Sequence, residues 1–379
     1  MKKRHLFFYG FFRPLVIIYL WFKFGYKYKK VKNLPDNYIV LCNHTTDYDP
    51  VLVGAAFKRQ MYFVASEHIV RWKNLYRFLN FTFEPIIRKK GTVAGTTVMD
   101  IMRKLKKGCR ICLFAEGVRT WDGCTCSILP STAKLIKKSG CALVTYKIIG
   151  GYFASPVWSK SSNTRRGKLY GEPVNLYTKE QLSKMTEDEI YQIILNDLSE
   201  DAYERQKSEP HRYKGRKLAE SLEKLMFVCP ECGSMDSFSS NKDRVTCSKC
   251  NYSLLYDEYG MLNGGVHTTI KEFSDWQNEQ VAEHVKNKHV YTAEFGSIDK
   301  IHKHVATEVS KGSVSINNEE LCCGEFKVLL KDILDLEIHG KDAIVFSTTH
   351  DYYELIPHKP GNAMKFLLYY NECVKQNLI

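Results

Sequence analysis

The sequence predicts an α/β layered domain, followed by a small four-cysteine module and a β-rich, barrel-like region with a C-terminal helix. Three observations lead there. Between about 35 and 175, short β-type runs alternate with helical stretches, the pattern of a layered α/β domain. Two Cys-x-x-Cys pairs follow, at 229–232 and 247–250. Beyond 304 the chain reads as short strands ending in one amphipathic stretch. A chain of 379 residues suggests several domains, and the composition divides it into 1–34, 35–208, a linker at 209–224, 225–256 and 257–379.

Residues 6–22 (LFFYGFFRPLVIIYLWF) are apolar or aromatic except Gly10, Arg13 and Pro14. A spanning helix needs about 20 such residues, and Arg13-Pro14 is expected to break this run in the middle. Lys2, Lys3 and Arg4 precede it; Lys23, Lys27, Lys29, Lys30 and Lys32 follow; no acid occurs before Asp36. Cations on both flanks suit a segment lying in one leaflet. The expectation is a peripheral or monotopic anchor on the cytoplasmic face, with a spanning helix and a buried helical hairpin as alternatives.

Tyr38–Cys42 (YIVLC) reads as a buried strand. Residues 49–58 read as a helix with Pro50 in its first turn. Strands follow at 61–65, 85–88, 110–114 and 143–149, with helices at 71–83, 92–107 and 129–139. In the helix at 92–107, Val93, Val98, Ile101, Met102 and Leu105 recur near helical spacing. Residues 178–208 are helical and charged, with Ile190, Ile193, Ile194 and Leu198 on one face.

The formal charge of +13 calls for an anionic partner, a membrane surface or a nucleic acid. The 13 cysteines are scattered outside the two pairs and make a poor disulfide framework, which indicates a reducing compartment.

The segment 43–50 reads Asn-His-Thr-Thr-Asp-Tyr-Asp-Pro and follows the strand Tyr38–Cys42 directly. His44 can move a proton near neutral pH, and a carboxylate in reach can hold its tautomer. Asp49 and Asp47 both compete for that place. Arg88 closes Glu-Pro-Ile-Ile-Arg, and residues 113–120 read Leu-Phe-Ala-Glu-Gly-Val-Arg-Thr.

In this order and at comparable distances, these blocks resemble the glycerolipid acyltransferase family. Its pattern is N-H-x-S-x-x-D, an arginine at a strand end, then F-P-E-G-T-R-S. The resemblance spans roughly 35–200 and implies an O-acyltransferase acting on a lysophospholipid, 1-acylglycerol-3-phosphate first. It implies an acyl-CoA or acyl carrier protein donor and a site on membrane lipids. It also selects Asp49 as the partner of His44, and Arg88, Glu116, Gly117 and Arg119 for acceptor binding. Glu116 is expected either at the glycerol hydroxyl or holding Arg119. Thr46, Ala115, Val118 and Thr120 depart from the pattern. A non-catalytic lipid-binding scaffold is the alternative.

Cys229, Cys232, Cys247 and Cys250 have the spacing of two tight turns closing a tetrahedral Zn²⁺ site. Gly233 and Asn251 each follow the second cysteine of a pair, where such turns take positive φ. The module resembles a zinc ribbon with a structural, fully thiolate site. Its charges are mixed (Glu231, Asp236 and Asp243 against Lys242, Arg244 and Lys249), which argues against a nucleic-acid partner. After a helix at 268–288, strands are expected at 307–309, 313–316, 326–330, 333–338, 343–347 and 352–356. A helix at 361–376 should pack Met364, Leu367, Leu368 and Cys373. That arrangement resembles a pleckstrin-homology-like module, able to serve a lipid or a protein partner.

Overall fold

The computed structural model describes residues 2–88, 95–302, 305–358 and 361–379. These form two compact units. The first comprises 2–88, 95–216 and 258–260, the second 217–257 and 261–379.

In the first unit the elements run α1 (Lys3–Phe24), β1 (Lys27–Tyr28), β2 (Tyr38–Cys42), α2 (Asp49–Ala56), β3 (Tyr62–Ser66), α3 (His68–Arg71), α4 (Lys73–Thr82) and β4 (Ile86–Arg88). Then come α5 (Gly95–Lys106), β5 (Ile111–Phe114), α6 (Ser131–Ser139), β6 (Ala142–Ile149), α7 (Gly151–Ala154), β7 (Tyr170–Tyr177), α8 (Lys179–Lys184), α9 (Glu187–Leu198) and α10 (Ala202–Ser208). The sheet order is β1-β7-β6-β2-β5-β3-β4. Strands β2 to β6 are parallel, and only the β6–β7 pairing is antiparallel. The carboxyl ends of β2, β4 and β5 therefore lie on one edge of the sheet, where ligand sites of open α/β sheets form.

Strand β2 is buried on both faces. Ile39 and Leu41 join Ile111 and Leu143 in a core completed by Ile101 and Leu105 of α5, Ile136 of α6 and Ile190, Ile194 and Leu198 of α9. Ile193 is only partly buried there. Val98 is exposed, so the inner stripe of α5 is Thr97, Ile101 and Leu105. Positions 92–94 of the expected helix, Val93 among them, lie outside the described residues. Thr178 and Thr186 open α8 and α9 with capping boxes, which satisfy N-terminal N–H groups that helices otherwise leave unpaired.

The break expected at Arg13-Pro14 does not occur, and α1 runs unbroken through Pro14. Proline removes one hydrogen bond from a helix interior. Bonds from the turn before it hold the helix: Tyr9 donates to the carbonyls of Gly54 and Phe57, and Arg13 to that of Ala55. His5 is buried against Tyr62. The outer face of α1 shows Phe7, Phe11, Leu15, Ile18 and Phe22, each about half exposed or more.

The second unit begins with a 3-10 turn (Leu222–Lys224) and the strands β8 (Phe238–Asn241), β9 (Arg244–Cys247), β10 (Ser253–Tyr256) and β11 (Leu262–Asn263), which form an antiparallel sheet. Helix α11 (Ile270–Lys286) precedes β12 (Tyr291–His302), β13 (Val305–Ile316), β14 (Glu320–Cys323), β15 (Phe326–Leu329), β16 (Asp335–His339), β17 (Ala343–Ser347), β18 (Tyr352–Pro357) and α12 (Ala363–Lys375). The second sheet is antiparallel, in the order β15-β14-β13-β12-β18-β17-β16.

In this second sheet β12 and β14 were not expected, and β13 is one continuous strand rather than two. Bulges explain β12. Its register shifts between Ala293 and Gly296 and again between Ile298 and Asp299, so buried and exposed residues fall out of a simple period of two. On α12 the expected leucines, Leu367 and Leu368, are only partly buried. Phe366, Tyr369 and Tyr370 carry the packing beside Met364 and Cys373. The tyrosine hydroxyls find carbonyl partners in His289 and Ile333, so their polar ends are satisfied inside the core.

Candidate active site and metal centre

The loop after β2 turns directly into α2, and this sets the geometry of His44. Asp49 is the first residue of α2, with Pro50 beside it, and its carboxylate is completely buried. Oδ2 accepts from His44 Nδ1 at 2.8 Å and from the backbone N–H groups of Thr45 and Thr46 at 2.6 and 3.0 Å. Oδ1 accepts from the hydroxyls of Thr45 and Thr46 at 3.2 and 2.9 Å. An ionised carboxylate only accepts, so this contact assigns the proton to Nδ1 and leaves Nε2 with its lone pair. The imidazole stacks on Phe114, centroids 4.4 Å apart. Its side chain is 19% exposed.

Asp47, the other carboxylate in this block, does not reach the histidine. Its Oδ1 lies 2.5 Å from Arg119 Nη1, and Oδ2 accepts from Ser161 at 3.4 Å. Arg119 is thus paired with Asp47 and not with Glu116.

Glu116 is buried under the loop. Oε1 accepts from the backbone N–H of His44 and Oε2 from that of Cys126, both at 2.6 Å. Burial raises its carboxyl to about 7, against the opposing pull of those two N–H groups. Both oxygens thus accept hydrogen bonds from the polypeptide. Thr120 N–H closes the other side by donating to the His44 carbonyl at 3.0 Å.

Gly117 has φ +72°. A Cβ there would stand 2.7 Å from Arg88 Nη1, so the absence of a side chain lets the Arg88 guanidinium pack on the loop. The structure therefore brings His44, Asp49, Arg88, Glu116, Gly117 and Arg119 together at one sheet edge.

Three supporting residues had no role in the sequence reading. Asn43 exchanges hydrogen bonds with the backbone of Ile148 at 2.9 and 2.8 Å, tying the end of β2 to β6. Gly151 lies so close to Thr45 that a Cβ would overlap its hydroxyl. Cys126 supplies the second N–H to Glu116. Asn43 was visible as the first letter of its block; the other two carry no local signal.

In the second unit, the Sγ atoms of Cys229, Cys232, Cys247 and Cys250 all lie within 4.8 Å of one another. The Cys229–Cys250 and Cys232–Cys247 separations are 3.6 and 3.8 Å. A tetrahedron with Zn–S bonds of about 2.3 Å has edges of about 3.8 Å, so the four thiols fit such an ion. Gly233 and Asn251 have φ of +69° and +62°, and their N–H groups return to the carbonyls of Cys229 and Cys247.

Residues 26–149 match the family model described as Acyltransferase, a span that contains all six residues of the sheet-edge cluster. These residues therefore form an acyltransferase-like domain. Among solved structures, the chain is similar to the 1-acyl-sn-glycerophosphate (LPA) acyltransferase PlsC of Thermotoga maritima. Identity is 20% and the TM-score 0.42, over 55% of this chain and 81% of that one. It is also similar to the N-terminal PH domain of human ARAP2, at 13% identity and a TM-score of 0.19, over 23% of this chain and 81% of that one. No curated protein matches the chain.

Proposed function

We propose that this protein is a membrane-associated O-acyltransferase that moves a fatty acyl group from acyl-CoA or acyl carrier protein to a hydroxyl of a lysophospholipid. The observation that carries this reading is the His44–Asp49 pair, with Nδ1 held by the buried carboxylate and the ring partly exposed. His44 Nε2 takes the proton from the acceptor hydroxyl as that oxygen attacks the thioester carbonyl. Asp49 stabilises the imidazolium. The C–O bond forms, the C–S bond breaks, and the thiol leaves with the proton returned by His44. A positioned base of this kind contributes about 10²–10⁴-fold.

Arg119 and Arg88 grip the acceptor phosphate, a task suited to the planar guanidinium, and Gly117 permits close approach. The family resemblance makes 1-acylglycerol-3-phosphate the first acceptor to test. The outer face of α1 sits in one leaflet on the cytoplasmic side and puts His44 within reach of a lipid. The four cysteines hold a structural Zn²⁺. The module at 257–379 binds a lipid or protein partner.

The test is transfer of labelled acyl groups from acyl-CoA to lysophospholipids, with products identified by mass spectrometry. His44→Ala should abolish transfer while leaving lipid binding intact. Undiminished turnover in His44→Ala excludes this mechanism. Binding without turnover in the unsubstituted protein favours the scaffold alternative.

A further inference from the structure

The Asp47–Arg119 pair bears on the headgroup that the site accepts. Arg119 is the arginine of the Glu-Gly-x-Arg block, and its neighbour Thr120 bonds the His44 carbonyl. Its side chain is mostly buried, while that of Asp47 is about half exposed. Nη1 is committed to Asp47. Nε and Nη2 take no protein partner among the described residues and remain free for a phosphate. Among the described residues, Asp47 is the carboxylate paired with Arg119, and Arg88 packs on the same loop at Gly117.

A phosphate monoester carries close to two negative charges at neutral pH. Seated on Arg119, it meets Asp47 as a like charge at short range, where repulsion is felt strongly. A phosphodiester carries one negative charge. If its substituent ends in an ammonium group, that cation finds Asp47 next to the arginine that holds the phosphate. Ser161 braces Asp47 from the other side, so the carboxylate is positioned before any ligand arrives.

We infer that Asp47 selects a zwitterionic lysophospholipid, a phosphodiester with an ammonium headgroup, over a lysophospholipid with a free phosphate. This deepens the proposed function, rests on it, and departs from the acceptor named first there. Part of the discrimination is repulsive, as is common where two ligands share most of their contacts.

The experiment uses the full chain in detergent or vesicles, with acyl-CoA as donor. Three oleoyl acceptors are compared: lysophosphatidic acid, lysophosphatidylethanolamine and lysophosphatidylcholine. The unsubstituted protein should favour the two zwitterionic acceptors by about tenfold or more in kcat/KM. Asp47→Asn should shift that ratio about tenfold towards lysophosphatidic acid, mainly through KM. Asp47→Glu, which restores the charge, should recover much of the preference. Turnover that favours lysophosphatidic acid, or a ratio that Asp47→Asn leaves unchanged, overturns this inference and leaves the acyltransferase reading standing. No transfer to any acceptor overturns both.

Discussion

Replacing Glu116 by Gln separates a residue that grips the acceptor from one that holds the catalytic loop. The carboxylate is buried, and its two oxygens receive the N–H groups of His44 and Cys126. Gln keeps the shape but has one acceptor, so one of those N–H groups must face the amide NH₂. A buried donor left without a partner costs about 1–3 kcal/mol, and the loop is expected to shift to avoid it. A displacement of order 1 Å at the base can cost about 10²-fold in rate. The expected result is a loss of kcat of at least about tenfold with little change in KM. A residue that bound acceptor would show the loss in KM.

The same substitution carries a pH dependence. Burial raises the folded-state carboxyl from 4.5 to about 7, so the native protein holds this proton more tightly than the unfolded chain does. Stability from protonated Glu116 is fully present below about pH 4.5 and is lost as pH rises to about 7. The shift corresponds to about 3 kcal/mol. Denaturant unfolding at pH 5 and pH 8 should show the unsubstituted protein losing about that much more stability than Glu116→Gln over the interval. Parallel stability curves together with an unchanged kcat would refute both the charge burial and the positioning role.

Three other perturbations test the remaining parts. Asp49→Asn should lower kcat by about 10⁴-fold, because the ring loses the acceptor that fixes its tautomer; steady-state kinetics with an unchanged KM would bear this out. The purified chain should contain zinc in one-to-one ratio by elemental analysis. Cys232→Ser or strong chelation should release it and unfold the β8–β11 module, since structural zinc contributes about 10 kcal/mol or more to such folds. Unaltered metal content would show that the four thiols are not the ligands. Changing Phe7, Phe11 and Phe22 to Ser should weaken sedimentation with anionic vesicles, each ring contributing about 1.5–3 kcal/mol of insertion; equal sedimentation would exclude this face as the anchor.

The parts of the fold that were legible in the sequence are those with clean periodicity. β2 reads as buried because YIVLC is apolar throughout, and it sits at the centre of its sheet. α9 reads correctly because Ile190, Ile194 and Leu198 repeat at helical spacing. β12 was missed because bulges interrupt its alternation. Tertiary contacts overrode local propensity at Pro14, where bonds to the carbonyls of Gly54, Ala55 and Phe57 hold a helix that proline alone would break.

Within the site, the difference lies in sequence separation. His44 and Asp49 are five residues apart, so the turn that joins them is written locally. Pro50 favours the start of a helix, and a carboxylate at that first position lies next to the N–H groups of Thr45 and Thr46. Asp47 falls in the turn before the helix and points outward to Arg119 instead. Thus the choice between the two carboxylates follows from where α2 begins. The supports lack any such local cause. Glu116 reaches back 72 residues to His44 and Asn43 reaches forward 105 to Ile148, contacts that exist only because β5 and β6 flank β2 in the sheet. The chemical groups can therefore be read from a short block, whereas what holds them in place depends on strand order. That is why the role expected for Glu116 was the one most changed by the structure.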